Sequence, residues 1–450
     1  MTIKEIHQRL ACLGATPSRS LGQNFLFDQN LAKWIVAQLE IQLGDHVVEI
    51  GPGLGALTEL LAEVATSLTI IEKDDRLIPW LRERYSGTHV EIIHTDAVSF
   101  DTRHLLGKGP LRVIGNLPYY VSTPLIDRFA NPVLAPKKLV FTLQKELADR
   151  LNASPGTKAY GAMTLCLGRR WAVRSVKTLP PTVFFPTPKV DSAVVTLDPR
   201  PASDVPVADD HHFDALVRAG FSERRKQLRK LLPEVTPERW TQLAGLLGIP
   251  HDVRGEALTR MQWTALVQEL APSSAQKAEE IFDIVDESDV VVDAKPRGEV
   301  HARDMRHRAV HVMLFNRNGE VFLQKRSIWK DKNPALWDSS SAGHVDSGED
   351  YETAAHREML EEIGIDTTIT PVCKLGCGPE TGFEFLQIYH GDHEGPFTFA
   401  PTEVEGGSYF PVDQVTRWLS THPGDFTPIF RQAFPLVIAA RAALATTDRP

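Results

Sequence analysis

The run LRVIGNLPYYVSTPL places Asn116, Leu117, Pro118 and Tyr119 directly behind an apolar segment. By itself an Asn-x-Pro-Tyr corner is a turn, because Pro fixes φ and Asn bonds to nearby backbone. The same residue types also suit one reaction. The exocyclic amine of adenine is a poor nucleophile, since its lone pair is delocalised into the ring. An Asn side-chain oxygen and an adjacent backbone carbonyl, both accepting from that amine, position it and favour a tetrahedral nitrogen aimed at a methyl sulfonium. Pro118 stiffens the carbonyl and Tyr119 stacks on the base. Catalysis is then mostly positioning, with the base drawn out of its stack into a pocket.

A second set lies far along the chain. Residues 343–365 read GHVDSGEDYETAAHREMLEEIGI, with Gly343, Glu349, Arg357, Glu358, Glu361, Glu362 and Gly364 at fixed intervals. The spacing from Tyr351 to Ile363 predicts a helix, so Glu358, Glu361 and Glu362 at i, i+3 and i+4 share one face. Like charges at that spacing repel, and hard oxygen ligands gathered there suit Mg²⁺. Taken alone, three glutamates also fit an exposed acidic helix. The four cysteines, Cys12, Cys166, Cys373 and Cys377, form neither a disulfide framework nor a four-ligand zinc pattern. A reducing compartment is expected, with Cys373 and Cys377 as packing residues.

The elements that carry the first set begin with DHVVEI, a buried strand signal, followed by GPGLGALTELLAEVA, which reads as tight turn and helix. Gly51, Gly53 and Gly55 let a ligand approach the backbone, although a purely structural turn fits as well. LTIIEKD is a second strand ending in Glu72, where an acid can bind two ribose hydroxyls. VEIIHTDA is a third, ending in Asp96. A nicotinamide fingerprint wants a third glycine at position 56, which is Ala56. Two acids at successive strand ends suit a ligand with ribose hydroxyls and an adenine amine, as S-adenosylmethionine has; either acid alone also fits structural capping.

The chain of 450 residues with 42% apolar content is long enough for at least two cores. Residues 1–275 carry 32 basic and 29 acidic side chains, whereas 276–450 carry 17 and 29, so the net charge of −9 hides two unlike halves. Residues 101–200 hold 15 basic against 6 acidic groups, and Arg224, Arg225, Lys226, Arg229 and Lys230 follow. Such a strip suits a phosphate backbone or a solvated helix face. The small polar stretch APSSAQKAEE reads as a linker. No run of about 18 apolar residues and no leader-like N-terminus appear, so a cytoplasmic protein without membrane contact is expected.

SLGQNFLFD, EIGPGLGALT, IEKD, HTDA, NLPYYVSTPL, QKELADRL, GTKAYGA and FFPTPKVDSAVVTL resemble, in order, the ribosomal RNA adenine dimethyltransferases that modify small-subunit RNA. FSERRKQLRKLL resembles that family's helical tail, and the likeness covers roughly residues 15–265. It implies a Rossmann-like α/β methyltransferase over residues 1–200 and a small helical domain over 201–270, with a linker at 271–282. Gln23, Asn24, Leu26, Gly51, Gly53, Glu72, Asp96 and Asn116 are then the S-adenosylmethionine contacts. Tyr119 and Phe184 sandwich the adenine, and Phe185 is an extra aromatic without an assigned role. The partner is small-subunit ribosomal RNA or the immature small subunit. The methyltransferases of large-subunit RNA share much of this pattern, and an assembly factor with secondary catalysis is a further alternative.

The acidic spacing resembles the signature of the Nudix hydrolases, implying an α/β/α sandwich over residues 283–450. By that resemblance Glu358, Glu361 and Glu362 hold Mg²⁺, Glu358 or a neighbour activates water, Arg357 orients the acids, and Glu349 supports them. The substrate is a diphosphate-containing small molecule. HRAVHVMLFNRNGEVFLQKRS predicts two strands joined at Asn318-Gly319, with Arg326 meeting phosphate. NPALWDSSSAGHV is also similar to the isopentenyl diphosphate isomerases, but Ser339, Ser340 and Ser341 stand where those enzymes carry a catalytic Cys.

Overall fold

The computed structural model describes residues 2–18, 20–205, 210–270 and 280–447. It divides into two compact units, residues up to 206 with 210–271, and residues 272–450. Most of the expected linker lies outside the described residues; its last part is not linker, because Ile281–Val285 forms a hairpin strand with Val291–Pro296.

The first unit is built on seven strands: β1 (His46–Ile50), β2 (Ser67–Glu72), β3 (Val90–His94), β4 (Leu111–Asn116), β5 (Lys138–Gln144), β6 (Trp171–Leu179) and β7 (Ser192–Pro199). Their order is β3-β2-β1-β4-β5-β7-β6. The first five are parallel, and β7 and β6 close the sheet antiparallel. The central strands are apolar on both sides. Val47, Ile70, Ile114 and Val140 enter one core cluster, while Val48, Ile71, Val113 and Leu139 enter another. That continuous apolarity is what a parallel sheet covered on both faces requires. Registers of Ile50 with Ile71 and with Gly115 bring the carboxyl ends of β1, β2 and β4 level. Open α/β sheets bind ligands at that edge.

Behind β1 the glycine-rich segment is a series of turns, and helix α1 begins only at Thr58, ending at Val64. Gly53 takes φ +54°, and a Cβ there would approach the Phe25 ring to 3.1 Å; both facts favour glycine.

Three helices follow the sheet: α2 (Asp210–Gly220), α3 (Pro237–Leu247) and α4 (Arg260–Leu270), packed around the buried Trp240 and Trp263. A Cβ on Gly220 would sit 2.3 Å from the Trp263 ring. The basic run after it departs from the helical tail expected above. Residues 221–225 are turns, residue 226 is a bend, and Leu228–Lys230 is a single 3-10 turn. The chain bends there because Leu228 is fully buried and donates its N–H to Val253 O at 2.8 Å.

The second unit has a mixed seven-stranded sheet: β8 (His307–Phe315), β9 (Val321–Arg326), β10 (Trp337–Asp338), β11 (Ser341–His344), β12 (Ile369–Leu375), β13 (Glu384–Asp392) and β14 (Val404–Phe410). β8 pairs parallel with β13 and antiparallel with β9 and β11. The β8–β9 turn falls at the predicted place, with Gly319 at φ +74°. Short helix α5 (Arg297–Ala302) precedes β8, and helix α6 (Tyr351–Ile363) packs Ala354, Ala355, Met359 and Ile363 onto the sheet. Among the described residues no helix is long and apolar enough to cross a membrane.

Candidate active sites

A cavity opens at the carboxyl edge of β1, β2 and β4. Of the residues expected there, Gln23, Asn24, Leu26, Gly51, Gly53, Glu72, Asp96 and Asn116 all line it, together with Leu117, Pro118 and Tyr119.

Asn116 ends β4, and its Nδ2 donates to the Asn24 carbonyl at 2.9 Å. One of the two amide N–H groups is thereby used, which fixes the orientation of the group, and Oδ1 is its acceptor atom. Pro118 O accepts from Val121 N at 3.1 Å and Ser122 Oγ at 3.0 Å, which holds the corner rigid. Tyr119 is half-buried, with its hydroxyl 2.9 Å from Ser192 Oγ.

Glu72 is buried, and its carboxylate is held by backbone. Oε1 accepts from Lys73 N at 2.8 Å and Asp74 N at 2.7 Å, and Oε2 from Gly53 N at 3.2 Å. Of about four lone-pair sites on a carboxylate, one at Oε2 remains, so as it stands Glu72 accepts one further hydroxyl rather than two. Asp96 pairs with Lys73 Nζ at 2.7 Å and caps Val98 N at 2.9 Å. The Lys73 hydrogen bond holds the Asp96 carboxyl below its ordinary range. The Gln23 amide bridges Asp74 Oδ2 at 2.7 Å and Ser18 N at 2.8 Å, so it braces the wall.

Phe184 is a correction. It does not line the cavity; it is 2% exposed, pairs with Leu26 in a two-residue ladder, and sits in the core. That ladder turns the ring inward. Phe185 packs edge-on against His7 with ring centroids 4.7 Å apart. Glu49, which sequence reasoning passed over, does line the cavity. Burial, with Glu72 adding repulsion, pushes its carboxyl up to about 8. An acid within the apolar stretch DHVVEI, two residues before Gly51, was the available signal.

In the second unit another cavity is lined by Arg326, Arg357, Glu358, Glu361 and Glu362. Arg357 organises it: Nη2 donates to His344 O at 2.8 Å and Glu349 Oε2 at 3.0 Å, Nε to Glu349 Oε1 at 3.1 Å, and Nη1 to Glu358 Oε1 at 2.8 Å. A Cβ on Gly343 would lie 1.9 Å from Glu358 Cδ, so only glycine leaves room for that carboxyl. Burial and the neighbouring Glu362 push Glu358 up to about 8. Glu362 Oε2 accepts from Ala342 N at 2.9 Å, Gln324 Nε2 at 3.0 Å and Ser341 Oγ at 3.1 Å. Its Oε1 is buried without a hydrogen-bond partner, although Lys330 Nζ lies 3.5 Å away. A buried carboxylate oxygen left open beside a second crowded carboxyl fits a hard divalent cation. Glu361 is exposed, at 62% of its side chain, on the same wall.

Ser339, Ser340 and Ser341 are fully buried. Ser340 Oγ donates to Phe322 O at 2.6 Å and accepts from Leu314 N at 2.7 Å, so it serves the sheet. None of the described cysteines lines this cavity.

The geometry defines a Rossmann-like methyltransferase unit followed by a Nudix unit. Residues 14–272, more than half of the chain, match the family model described as ribosomal RNA adenine dimethylase, and residues 305–432 match the NUDIX domain. The chain belongs to the ribosomal RNA adenine dimethylase family and carries a NUDIX domain fused behind it. The ribosomal RNA small subunit methyltransferase A of Magnetococcus marinus is 40% identical over 267 residues, covering 58% of this chain and 95% of that protein. The protein of the same name from Lactiplantibacillus plantarum is 40% identical over 269 residues, covering 57% and 91%.

Proposed function

We propose that the first unit transfers two methyl groups to N6 of each of two adjacent adenines near the 3′ end of small-subunit ribosomal RNA, free or in the immature subunit. The carrying observation is the Asn116 amide, which one N–H anchors to Asn24 O and whose oxygen remains to accept in a cavity shared with Glu72 and Asp96. S-Adenosylmethionine, when bound, supplies an electrophilic methyl group. Asn116 Oδ1 and the Leu117 carbonyl accept the two amine hydrogens, which orients the nitrogen lone pair; Tyr119 faces the base. After one transfer a single N–H is left for two acceptors, so the second transfer begins from a turned amine. Both relatives are named for the small subunit, which favours that target over the large one.

Incubating immature small subunits with labelled donor tests this. Asn116→Ala is expected to lower transfer by about 100-fold or more, the scale of a lost positioning contact. Equal transfer by both proteins removes the role and leaves the assembly-factor reading.

The second unit is assigned hydrolysis of a diphosphate-containing small molecule, with Glu358, Glu361 and Glu362 holding Mg²⁺. That ion, when bound, neutralises the diphosphate and makes water a better nucleophile. Arg357 and Glu349 hold the acidic wall in place, and Glu358 or a neighbouring acid accepts the water's proton. Buried serines where a thiol would be needed disfavour isomerisation. Phosphate release across a panel of nucleoside diphosphate derivatives, with Glu361→Gln alongside, is expected to fall at least about tenfold in the variant. Turnover of no panel member, or equal turnover by both proteins, counts against the assignment.

A further inference from the structure

The two consecutive tyrosines of the corner face different surroundings. Tyr119, Tyr120 and Val121 form one 3-10 turn, in which successive side chains diverge by about 120°. Tyr119 is half-buried and turns toward Ser192. Tyr120 points elsewhere: it lines the same cavity yet stays 57% exposed, so its ring stands at the mouth. We propose that Tyr120 is a stacking platform for RNA, holding the unpaired base next to the extruded adenine. This inference rests on the methyltransferase reading of the first unit.

The ring has a prepared seat. Gly22 takes φ +61°, and a Cβ there would come within 3.4 and 3.5 Å of Tyr120 Cε1 and Cδ1 and within 3.1 Å of Pro118 Cβ. The edge of the ring therefore lies close against bare backbone, where a side chain at position 22 would crowd it. The turn that carries the ring is fixed in its own right, because Pro118 O accepts from Val121 N and from Ser122 Oγ. A platform held in place beforehand loses little freedom when a ligand arrives.

The place of Phe184 in the core bears on the same point. Among the described residues, the aromatic side chains that line the cavity are Phe25, Tyr119 and Tyr120. Phe25 is buried against Gly53, and Tyr119 is left for the extruded base. Tyr120 is the one of the three that faces solvent, from which a strand approaches. Drawing a base out of a strand breaks its stacking on both neighbours, and a ring at the mouth replaces one of those contacts. Base–aromatic stacking is worth roughly 5- to 150-fold in affinity per base and tolerates any base.

A ring that instead closes over the methyl donor is the competing use. Tyr120 is within electrostatic reach of Lys73, whose Nζ pairs with Asp96, so the donor side of the mouth is near. A cover would turn its surface inward, however, whereas more than half of Tyr120 is open to solvent. Its hydroxyl makes no hydrogen bond among the described residues, so the ring rather than the oxygen is the group on offer.

The test compares the full chain with Tyr120→Ala, Tyr120→Leu and Tyr120→Phe. Affinity for immature small subunits is measured by filter binding at several salt concentrations, and affinity for S-adenosylmethionine by calorimetry. The Ala and Leu variants are expected to bind subunits about 5-fold or more weakly, and Phe to restore binding. The slope of log K against log salt should stay the same, because stacking releases no counterion. Donor affinity should be equal in all four proteins, which also shows that each is folded. A single-stranded RNA with 2-aminopurine beside a target adenine is expected to be quenched by saturating unaltered chain and less so by Tyr120→Leu. Unchanged subunit affinity in Tyr120→Ala, Leu serving as well as Phe, a parallel loss of donor affinity, or no quenching by the unaltered chain would each overturn the proposal. Binding and quenching are read without methyl transfer. A chain that passes them but methylates nothing removes the catalytic reading alone, and normal transfer with Tyr120→Ala binding unchanged removes this inference alone.

Discussion

Glu49 shows how a single carboxyl makes stability depend on pH. Its folded value of about 8 lies above the ordinary carboxylate range, because burial, reinforced by Glu72, opposes ionisation. Below about pH 4 both folded and unfolded forms are protonated, and no penalty arises. Between there and about pH 8 the unfolded chain loses this proton while the native one keeps it, so stability falls as pH rises, then levels off. Glu49→Gln should remove that slope and gain on the order of a few kcal/mol at pH 8–9 relative to pH 4. Calorimetry of the cofactor-free chain, following the transition that S-adenosylmethionine raises, checks it. Parallel slopes in the two proteins would rule the account out.

At the level of elements, α6 is held at both ends. Asp350 accepts from Thr353 N at 2.8 Å, and Gly364 closes the helix at φ +69°. Asp350→Ala should cost about 1 kcal/mol and lower the melting point of the second unit by roughly 2–4 °C. A thermal scan measures this; a shift below 1 °C would mean that the cap contributes nothing. This helix was legible in advance because its apolar spacing and its cap are local. So were β1, β2, β4 and the corner at Asn116, each written within one short run of residues. Other features depend on pairing at a distance. Phe184 turns inward because Leu26 lies opposite it, and the basic run bends because Leu228 must be buried against residues some 25 positions away.

Across the whole molecule, the two units differ in charge as well as in fold. The excess of basic groups in residues 101–200 and the exposed Arg225 and Lys226 belong to the first unit, whereas residues 276–450 are strongly acidic. RNA affinity should therefore fall steeply with salt. Arg225→Ala with Lys226→Ala is expected to reduce the slope of log K against log salt by about 1–2, each phosphate contact contributing somewhat under one, while donor binding stays unchanged. Filter binding at several salt concentrations reads the slope directly, and an unaltered slope would remove these two residues from the RNA-facing surface.

The hydrogen bond from Asn116 Nδ2 to the Asn24 carbonyl has a consequence for which purine the corner tolerates. With one of its two N–H groups anchored to the Asn24 carbonyl, the amide is held in one orientation, and its oxygen and the neighbouring main-chain oxygen are both acceptors for an incoming base. Guanine carries an oxygen where adenine carries its amine, so it would set acceptor against acceptor and leave buried groups unsatisfied, at about 1–3 kcal/mol apiece. The orientation that Asn24 imposes on this amide thus favours adenine over guanine at the corner.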